Sequence, residues 1–186
     1  EKLNNDSLKN ILKNNLNSSI WKWYIEKINL IILQESSSKE LYLTYSLCAS
    51  KINRNFPIFT KNTDKKLKDY LKIQKANLLE LSRVYLLSEV LKKNRTFFVN
   101  KIKNLIQISD NEELETFLKF LILLPNAKDF HLNAVDALRT NITTVFDAIA
   151  LNNPYPSIYF NEQQWSQMYL KAAFMERDLS RILNIE

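Results

Sequence analysis

The chain of 186 residues contains no glycine, although average usage near 7% would supply roughly thirteen. Glycine provides the positive φ angles of the favoured β-hairpin turns, and it lets the backbone approach phosphates closely in nucleotide-binding loops. Its absence therefore disfavours P-loop, Rossmann and most β-barrel folds. Asparagine, which is abundant in this sequence, is expected to take the place of glycine where helices end.

Cysteine and histidine are nearly absent as well, with Cys48 and His131 the single residues of their types. One cysteine excludes a disulfide framework and a cysteine-based metal site, and one histidine excludes a multi-histidine metal site. His131 could serve as a lone general base, but a histidine at the surface or at the edge of the core is expected. Cys48 is expected to be a buried thiol. We predict neither a metal nor a cofactor.

The sequence also lacks a long apolar run. The longest candidate, residues 117–124, is interrupted by Lys119 and ends at Pro125, whereas a membrane-spanning helix needs roughly 18 or more apolar residues. The first ten residues lack the pattern of a signal peptide. We therefore expect a cytoplasmic protein without a transmembrane segment. The hydrophobic share of 46% is that of an ordinary globular protein and argues against disorder.

The net charge of +6 is distributed unevenly. Residues 1–108 hold 20 Lys and Arg against 9 Asp and Glu, whereas residues 109–186 hold 6 against 11. The basic part could attract nucleic acid, an anionic membrane surface or an acidic partner. Because its basic residues are dispersed along the sequence and not clustered, we interpret them mainly as the solvated faces of helices.

Apolar residues recur at intervals of three and four along nearly the whole chain, which is the helical period. No period-two alternation is long enough to predict a strand. The sequence therefore predicts an all-α fold, either an irregular multi-helix bundle or a short HEAT- or armadillo-like stack of antiparallel helices. We expect a single helical domain over residues 1–186, with a basic part over residues 1–108 and an acidic part over residues 109–186.

Several helix boundaries in the basic part carry local signals. Ser37 and Glu40 have the spacing of a capping box, which predicts a helix start. A loop is expected over residues 53–64, with its aromatic residues against the core. Asp64 is expected to begin one long helix that runs to about Lys93.

The acidic part has its own boundary signals. The segment SDNEE at residues 109–113 predicts a helix start, because its carboxylates suit the positive end of a helix dipole. Helical periodicity over residues 129–151 is expected to bend at residues 140–141. The segment Pro-Tyr-Pro at residues 154–156 is expected to be an extended, rigid turn.

Residues 139–174 combine aromatic, amide and charged side chains with two of the four prolines. Arg139 lies in an apolar context, so its guanidinium needs an acceptor, which is either a carboxylate of the chain or an anionic ligand. The structural acceptors considered are Asp136, Asp147 and Glu162. Tyr155 and Trp165 either line a cleft with nearby polar groups or belong to a packed helix corner. The candidate ligand- or partner-binding residues are Arg139, Asn141, Asn153, Tyr155, Glu162, Trp165, Gln167 and Lys171.

A composite set of short motifs runs through the same region. It consists of LLP at 123–125, RTN at 139–141, VFDAIA at 145–150, NPYP at 153–156, YF at 159–160, Glu162, Trp165, Gln167-Met168 and LKAAF at 170–174. Together these motifs resemble the EboA family of metabolite traffic proteins, over roughly the last third of the chain. The preceding part of the chain matches the family only in that it is helical and of suitable length. Two departures are Ser166, where the family has asparagine, and Asp147, where it has glutamate.

The resemblance implies a setting and not a reaction. EboA-type proteins are encoded in bacterial clusters beside a UbiA-like membrane prenyltransferase, a TatD-like metal hydrolase, a sugar-phosphate-cyclase-like enzyme and a TIM-barrel protein. These clusters are associated with moving secondary-metabolite precursors across the inner membrane. The resemblance therefore implies a cytoplasmic protein that associates with the inner membrane peripherally. Its expected partners are the other proteins of the cluster, including the prenyltransferase, or a small-molecule metabolite. It assigns no catalytic residues.

Three functional hypotheses follow. The first is a non-enzymatic helical adaptor or binding protein of the metabolite traffic system, because no catalytic constellation is evident in the sequence. The alternative is an enzyme that modifies an aromatic or prenylated precursor, with Glu162 or His131 as acid/base and Arg139 as an anion clamp. The weakest is a basic helical nucleic-acid binder, whose affinity would fall steeply with salt.

Overall fold

The computed structural model describes residues 7–33, 38–54 and 63–184. Within these ranges the chain forms eleven α-helices and three short 3₁₀ helices, and they contain no β-strand. The prediction of an all-α, multi-helix fold is thereby confirmed for the part of the chain that is described. The predicted capping residue Ser37 and the loop aromatics Phe56 and Phe59 lie outside the described residues.

The chain divides into two compact units. Unit 1 comprises residues 1–108 and 123–125, and unit 2 comprises residues 109–122 and 126–186. The division after residue 108 falls where the sequence changes from net basic to net acidic. The expectation that the whole chain forms one domain stays a prediction.

Unit 1 is arranged around one helix that is buried on nearly all sides. The helices of this unit are α1 Leu8–Asn15, α2 Ser18–Leu33, α3 Lys39–Lys51, α4 Lys65–Ile73, α5 Leu78–Lys93 and α6 Arg95–Ile108. Helix α5 packs against α1, α2, α3 and α6. Twelve of its sixteen residues are buried, which is the pattern of a core helix and not of a surface helix with one apolar stripe.

The buried polar groups of α5 tie it to its neighbours. The Ser82 hydroxyl donates to the Leu78 carbonyl oxygen at 2.7 Å, and the Tyr24 hydroxyl of α2 donates to the Ser82 carbonyl oxygen. Arg83 Nε donates to the carbonyl oxygen of Tyr45 in α3 at 3.3 Å, and its guanidinium carbon lies 5.2 Å from the centroid of the Tyr45 ring. Because buried polar groups are costly without partners, these bonds offset the desolvation of the groups that make them.

The long helix predicted over residues 64–93 is interrupted, so that prediction is wrong at residues 74–77. Helix α4 ends in a Schellman motif whose left-handed residue is Lys75. Asn77 then begins α5 with a capping box that includes Glu80. Apolar residues keep their helical spacing across the break, which is why the pattern concealed it. The turn is therefore determined by capping groups and not by a change in hydrophobic period.

Four described residues adopt positive φ angles, namely Lys75 at 50°, Asn126 at 51°, Asn152 at 53° and Glu176 at 57°. The expectation that asparagine replaces glycine is confirmed for two of them. Lys75 and Glu176 instead occupy the left-handed position of Schellman motifs. In both motifs the N–H of the following residue donates to the carbonyl oxygen five positions earlier, at 2.9 Å. A residue with a Cβ atom is less stable in this conformation than glycine.

Replacing Lys75 or Glu176 by glycine is expected to stabilise the protein, each by about 0.5–1 kcal/mol, because the left-handed strain is removed. Glu176→Gly should give the larger gain, since a carboxylate is unfavourable at the negative end of a helix. Thermal unfolding of both variants measures the effect. Lys68→Gly, which alters an exposed position in the interior of α4, is the control and should cost about 1 kcal/mol. A loss of stability in the first two variants would contradict the assignment of strain.

Unit 2 is arranged around α9. Its helices are α7 Asn111–Phe120, α8 His131–Ala137, α9 Thr143–Ala150, α10 Pro154–Tyr159 and α11 Glu162–Phe174, with 3₁₀ helices at Ala127–Phe130 and Leu179–Arg181. Helix α9 packs against α7, α8, α10 and α11. The helix start predicted at residues 109–113 is confirmed, since Asp110 accepts a hydrogen bond from the Glu113 N–H at 2.8 Å. The bend predicted at residues 140–141 is confirmed by the end of α8 and the start of α9.

The extended turn predicted for residues 154–156 is wrong, because these residues form the first turn of α10. Pro154 occupies the first helical position, where its fixed φ angle suits the helix and its missing N–H leaves nothing unsatisfied. Asn153 caps the helix, and its Oδ1 accepts from the Tyr155 N–H at 2.9 Å. The same two prolines that suggested extended backbone therefore support a helix start once a capping asparagine precedes them.

Candidate binding surface

Asn153 joins the ends of three helices in unit 2. Its Nδ2 donates to the carbonyl oxygens of Leu118 in α7 and Ala148 in α9, each at 2.9 Å, while its Oδ1 caps α10. Both carbonyls lie in the last turn of their helix, where acceptors lack intrahelical partners. The side chain is buried, with the residue 1% exposed. The polar atoms of this predicted binding residue are therefore directed at the backbone of unit 2.

Tyr155 lies in the core of unit 2 and not on a surface that a ligand could reach. It is 0% exposed, and its hydroxyl donates to the Ala127 carbonyl oxygen at 3.1 Å. Its ring contacts those of Tyr159 and Phe160, at centroid distances of 4.8 Å and 6.0 Å. Burial raises the pKa of the Tyr155 hydroxyl well above its ordinary value, and the nearby Tyr159 and Asp129 add to the effect. Of the two arrangements that the sequence left open for Tyr155, a cleft and a packed helix corner, the structure has the packed corner.

Lys171 joins α11 to the turn between α8 and α9. Its Nζ donates to the carbonyl oxygens of Leu138 and Thr140, both at 2.6 Å, and lies 5.3 Å from the centroid of the Phe146 ring. These carbonyls follow the last turn of α8, where a cation satisfies open acceptors and is favoured by the helix dipole. Lys171 therefore holds the turn of residues 138–142, which we call the α8–α9 turn, beside α11.

Arg139 projects from the α8–α9 turn into solvent. Its Nη1 donates to Asp136 Oδ1 at 2.9 Å, and its side chain is 79% exposed. Of the three acceptors considered from the sequence, the structure selects Asp136, whereas Asp147 pairs with Arg177 at 3.5 Å. Because an exposed ion pair of this kind contributes little stability, the Arg139 guanidinium can exchange its partner for an anionic group on another molecule.

Trp165 and Glu162 lie toward the other end of α11. Trp165 Nε1 donates to the Leu183 carbonyl oxygen at 2.8 Å, and its ring stacks on Tyr169 with centroids 5.3 Å apart. Glu162 is exposed in the first turn of the helix. At 1.5 Å of rise per residue, Trp165 lies about 9 Å along the helix axis from Lys171. Trp165 thus fastens the C-terminal segment to α11, and its contacts are separate from those of the α8–α9 turn.

The outward side of α11 exposes two large apolar residues that sequence reasoning missed as site residues. Leu170 is 68% exposed and Phe174 is 89% exposed. With Gln163 and Gln167, which are also exposed, they recur at intervals of four, three and four. We call this stripe the α11 face. The spacing alone could not have revealed this stripe, because apolar residues lie on both sides of α11.

The buried side of α11 carries Met168 and Ala172, which face the interior of unit 2. The predicted residues that the structure brings near the α11 face are Gln167, which belongs to it, and Lys171, which binds the α8–α9 turn. Arg139 and Asn141 are exposed on that turn. The surface therefore combines apolar side chains, amides and one guanidinium, which is the composition of a binding surface more than of a reaction centre.

His131, which the enzyme hypothesis proposed for acid/base chemistry, does not belong to this surface. His131 is the first residue of α8, and its ring packs edge to face against Phe160, with centroids 5.8 Å apart. Nowhere in residues 7–33, 38–54 or 63–184 do three His, Cys, Asp or Glu side chains form a group that could hold a metal ion. Cys48 is buried in α3, as predicted.

Comparison with known proteins supplies one match. A family model described as metabolite traffic protein EboA matches residues 4–186. The match covers nearly the whole chain, whereas the sequence motifs supported the resemblance only over about its last third. No curated protein and no solved structure matches the chain. Among the described residues, no helix is both long enough and apolar enough to cross a membrane.

Proposed function

Because the chain belongs to the EboA family of metabolite traffic proteins, we propose that it is a non-enzymatic helical adaptor of an Ebo-type system. It binds a protein partner through the α11 face and the adjoining α8–α9 turn. The expected partners are the other proteins of the cluster, among them the membrane prenyltransferase. We further propose that the adaptor works in the cytoplasm and reaches the inner membrane through such a partner.

The observation that carries this proposal is the exposure of Leu170 and Phe174. Single exposed apolar residues are common, but a leucine and a phenylalanine one helical turn apart form a coherent apolar contact area. Aromatic side chains and arginine are the residues that most often dominate the energy of a protein interface. Phe174 and Arg139 would supply both on this surface, with Gln167 available for hydrogen bonds at the rim.

The internal use of the motif residues supports a binding role over a catalytic one. Asn153, Tyr155 and Lys171 direct their polar atoms at backbone carbonyls of unit 2. Glu162, the carboxylate of the enzyme hypothesis, is exposed on the first turn of α11. A catalytic carboxylate usually lies in a partly enclosed site that also holds the substrate. The motif region is better explained as the scaffold that holds α11 and the α8–α9 turn in place.

Binding to each protein encoded in the cluster tests the proposal, with the prenyltransferase supplied in nanodiscs. The double variant Leu170→Ser with Phe174→Ser should weaken the relevant complex at least about tenfold, because two apolar anchors are lost. Leu132→Ser is the matched control, since Leu132 is 72% exposed on α8 of the same unit and its loss should leave the affinity unchanged. The absence of binding to every cluster protein, or equal effects of the two changes, would overturn the assignment.

Turnover measurements separate the adaptor from the enzyme hypothesis. The purified chain should leave prenylated and aromatic precursors unaltered, and Glu162→Gln should support metabolite traffic as well as the parent chain does. If instead a precursor is converted, and Glu162→Gln abolishes the conversion while the melting temperature is unchanged, the protein is an enzyme and the adaptor proposal fails.

A further inference from the structure

Unit 1 carries a concentrated basic feature on α4 that is separate from the α11 face. Lys65, Lys68 and Lys72 are all exposed, and they follow one another at intervals of three and four residues. At 3.6 residues per turn these intervals place the three side chains along one side of the helix. We call them the α4 lysine row. At 1.5 Å per residue the row is about 10 Å long.

The helix that carries the row is fastened by its opposite side. Leu67, Tyr70 and Leu71 are buried, and the N-cap residue Asp64 accepts a hydrogen bond from the Leu67 N–H at 3.1 Å. The side that bears the lysines therefore faces outward in a fixed orientation. Basic residues that look dispersed in the sequence are thus gathered into a linear array in the folded unit.

Two other exposed residues flank the row and limit what it can bind. Asp69 places a carboxylate beside the lysines, and Ile73, which is 56% exposed, places an apolar group there. A uniform polyanion gains from every lysine but is repelled by the aspartate. A protein surface can complement the lysine row, Asp69 and Ile73 together, because it can place carboxylates opposite the lysines, a cation opposite Asp69 and an apolar residue opposite Ile73.

From this arrangement we propose that α4 is a docking site for an acidic amphipathic helix of a partner protein. Carboxylates on such a helix that recur at intervals of three and four residues would face the lysine row in register, as charged pairs do between neighbouring helices. The occupant is a partner and not a second copy of the chain, because no helix of the described residues exposes more than one carboxylate, so none of them presents a matching row.

The same observations disfavour the two other anionic classes. Surface-bound amphipathic helices insert an apolar side into the lipid, whereas the apolar side of α4 is buried within unit 1 apart from Ile73. Nucleic-acid surfaces commonly combine lysine with arginine forks and exposed aromatic rings. Residues 63–77 contain no arginine, and their one aromatic residue, Tyr70, is buried.

Two helix-stabilised peptides of identical composition provide the test. The patterned peptide carries glutamates in a row that matches the α4 lysine row, with one lysine to face Asp69 and one leucine to face Ile73. The scrambled peptide distributes the same residues around the helix. The full chain should bind the patterned peptide about tenfold more tightly than the scrambled one, because several weak exposed pairs add. Equal affinities would overturn the proposal.

Charge reversals locate the site on the protein. Lys68→Glu with Lys72→Glu should remove the preference for the patterned peptide. Lys9→Glu with Lys13→Glu, which makes the same charge change at exposed positions of α1, should retain it. Melting temperatures confirm that both double variants are folded. An equal loss in the α1 variant would show that net charge alone is responsible, and the proposal would fail.

Asp69→Lys distinguishes the classes of partner. It should weaken binding of the patterned peptide, whose lysine then faces another cation. In contrast, it should strengthen any binding to phosphatidylserine vesicles or to a DNA duplex. If vesicles or the duplex bind more tightly than the patterned peptide, and the Lys68 and Lys72 reversals abolish that binding, a helical partner is ruled out. These measurements do not involve the α11 face. A negative result would therefore overturn the docking site on α4 without affecting the adaptor proposal, which is tested by binding to the cluster proteins.

Discussion

Replacing Asn153 by aspartate is expected to destabilise the protein by about 4 kcal/mol near neutral pH, although the two side chains have almost the same shape. The amide donates to the carbonyls of Leu118 and Ala148, and a carboxylate would present oxygen to oxygen at both contacts. The cap of α10 would survive, because an aspartate oxygen accepts from the Tyr155 N–H as well as the amide oxygen does. The loss would thus report on the two donated bonds. Chemical denaturation measures it.

Asn161→Asp is the control for this prediction. Asn161 caps α11 through its Oδ1 but is exposed, and asparagine and aspartate are nearly equivalent at such caps. Burial and the two carbonyls would raise the folded-state pKa of the carboxyl introduced at position 153. The penalty is therefore complete above that raised pKa and shrinks as the pH falls toward about 3.9, the value in the unfolded chain. Equal stabilities of the two variants would show that the bonds to α7 and α9 contribute little.

Alkaline pH is expected to reduce the free energy of unfolding by up to about 5 kcal/mol per pH unit. Burial raises the pKa values of Tyr24, Tyr70, Tyr85 and Tyr155 well above 10. These tyrosines stay protonated in the folded protein, whereas they ionise near pH 10 in the unfolded chain. The stability they contribute is complete below about pH 10 and is lost as the pH rises toward their folded-state values. With a typical total stability, the protein should unfold by about pH 12.

The absorbance of tyrosinate, followed together with circular dichroism, measures this transition. Tyr24, Tyr70, Tyr85 and Tyr155 should ionise only as helical structure is lost, in step with the circular dichroism. Tyr85→Phe removes one of the four groups, so it should lower the dependence on pH by about a quarter. Ionisation of all tyrosines near pH 10 with helices intact would contradict the raised pKa values.

The sequence was informative about the fold wherever a helix had one apolar side and a capping group. The helix start at Asp110 followed from such signals. It was misleading where two rules competed. Prolines at 154 and 156 are compatible with extended backbone and with a first helical turn, and the choice depended on the side chain of Asn153. Continuous apolar spacing over residues 64–93 likewise concealed the turn formed by Lys75 and Asn77.

The candidate site was harder to predict, because the sequence does not show which polar atoms find partners inside the fold. Asn153 and Tyr155 have the chemistry of ligand-binding residues, yet both make hydrogen bonds within the core of unit 2. Leu170 and Phe174 look like core residues, yet they project outward. Exposure is decided by which side of α11 packs on α9, and both sides carry apolar residues, so the periodicity alone was ambiguous.

The order of residues 153 and 154 has a consequence for the chemical lifetime of the protein. Asparagine deamidates spontaneously when the backbone nitrogen of the next residue attacks its side chain, and this reaction yields aspartate. Proline has no backbone N–H, so Pro154 blocks that route at Asn153. Deamidation of Asn153 would produce the destabilising aspartate described above, and Pro154 prevents it at that position. In a chain so rich in asparagine, the residue that secures three helices is shielded from this route of deamidation.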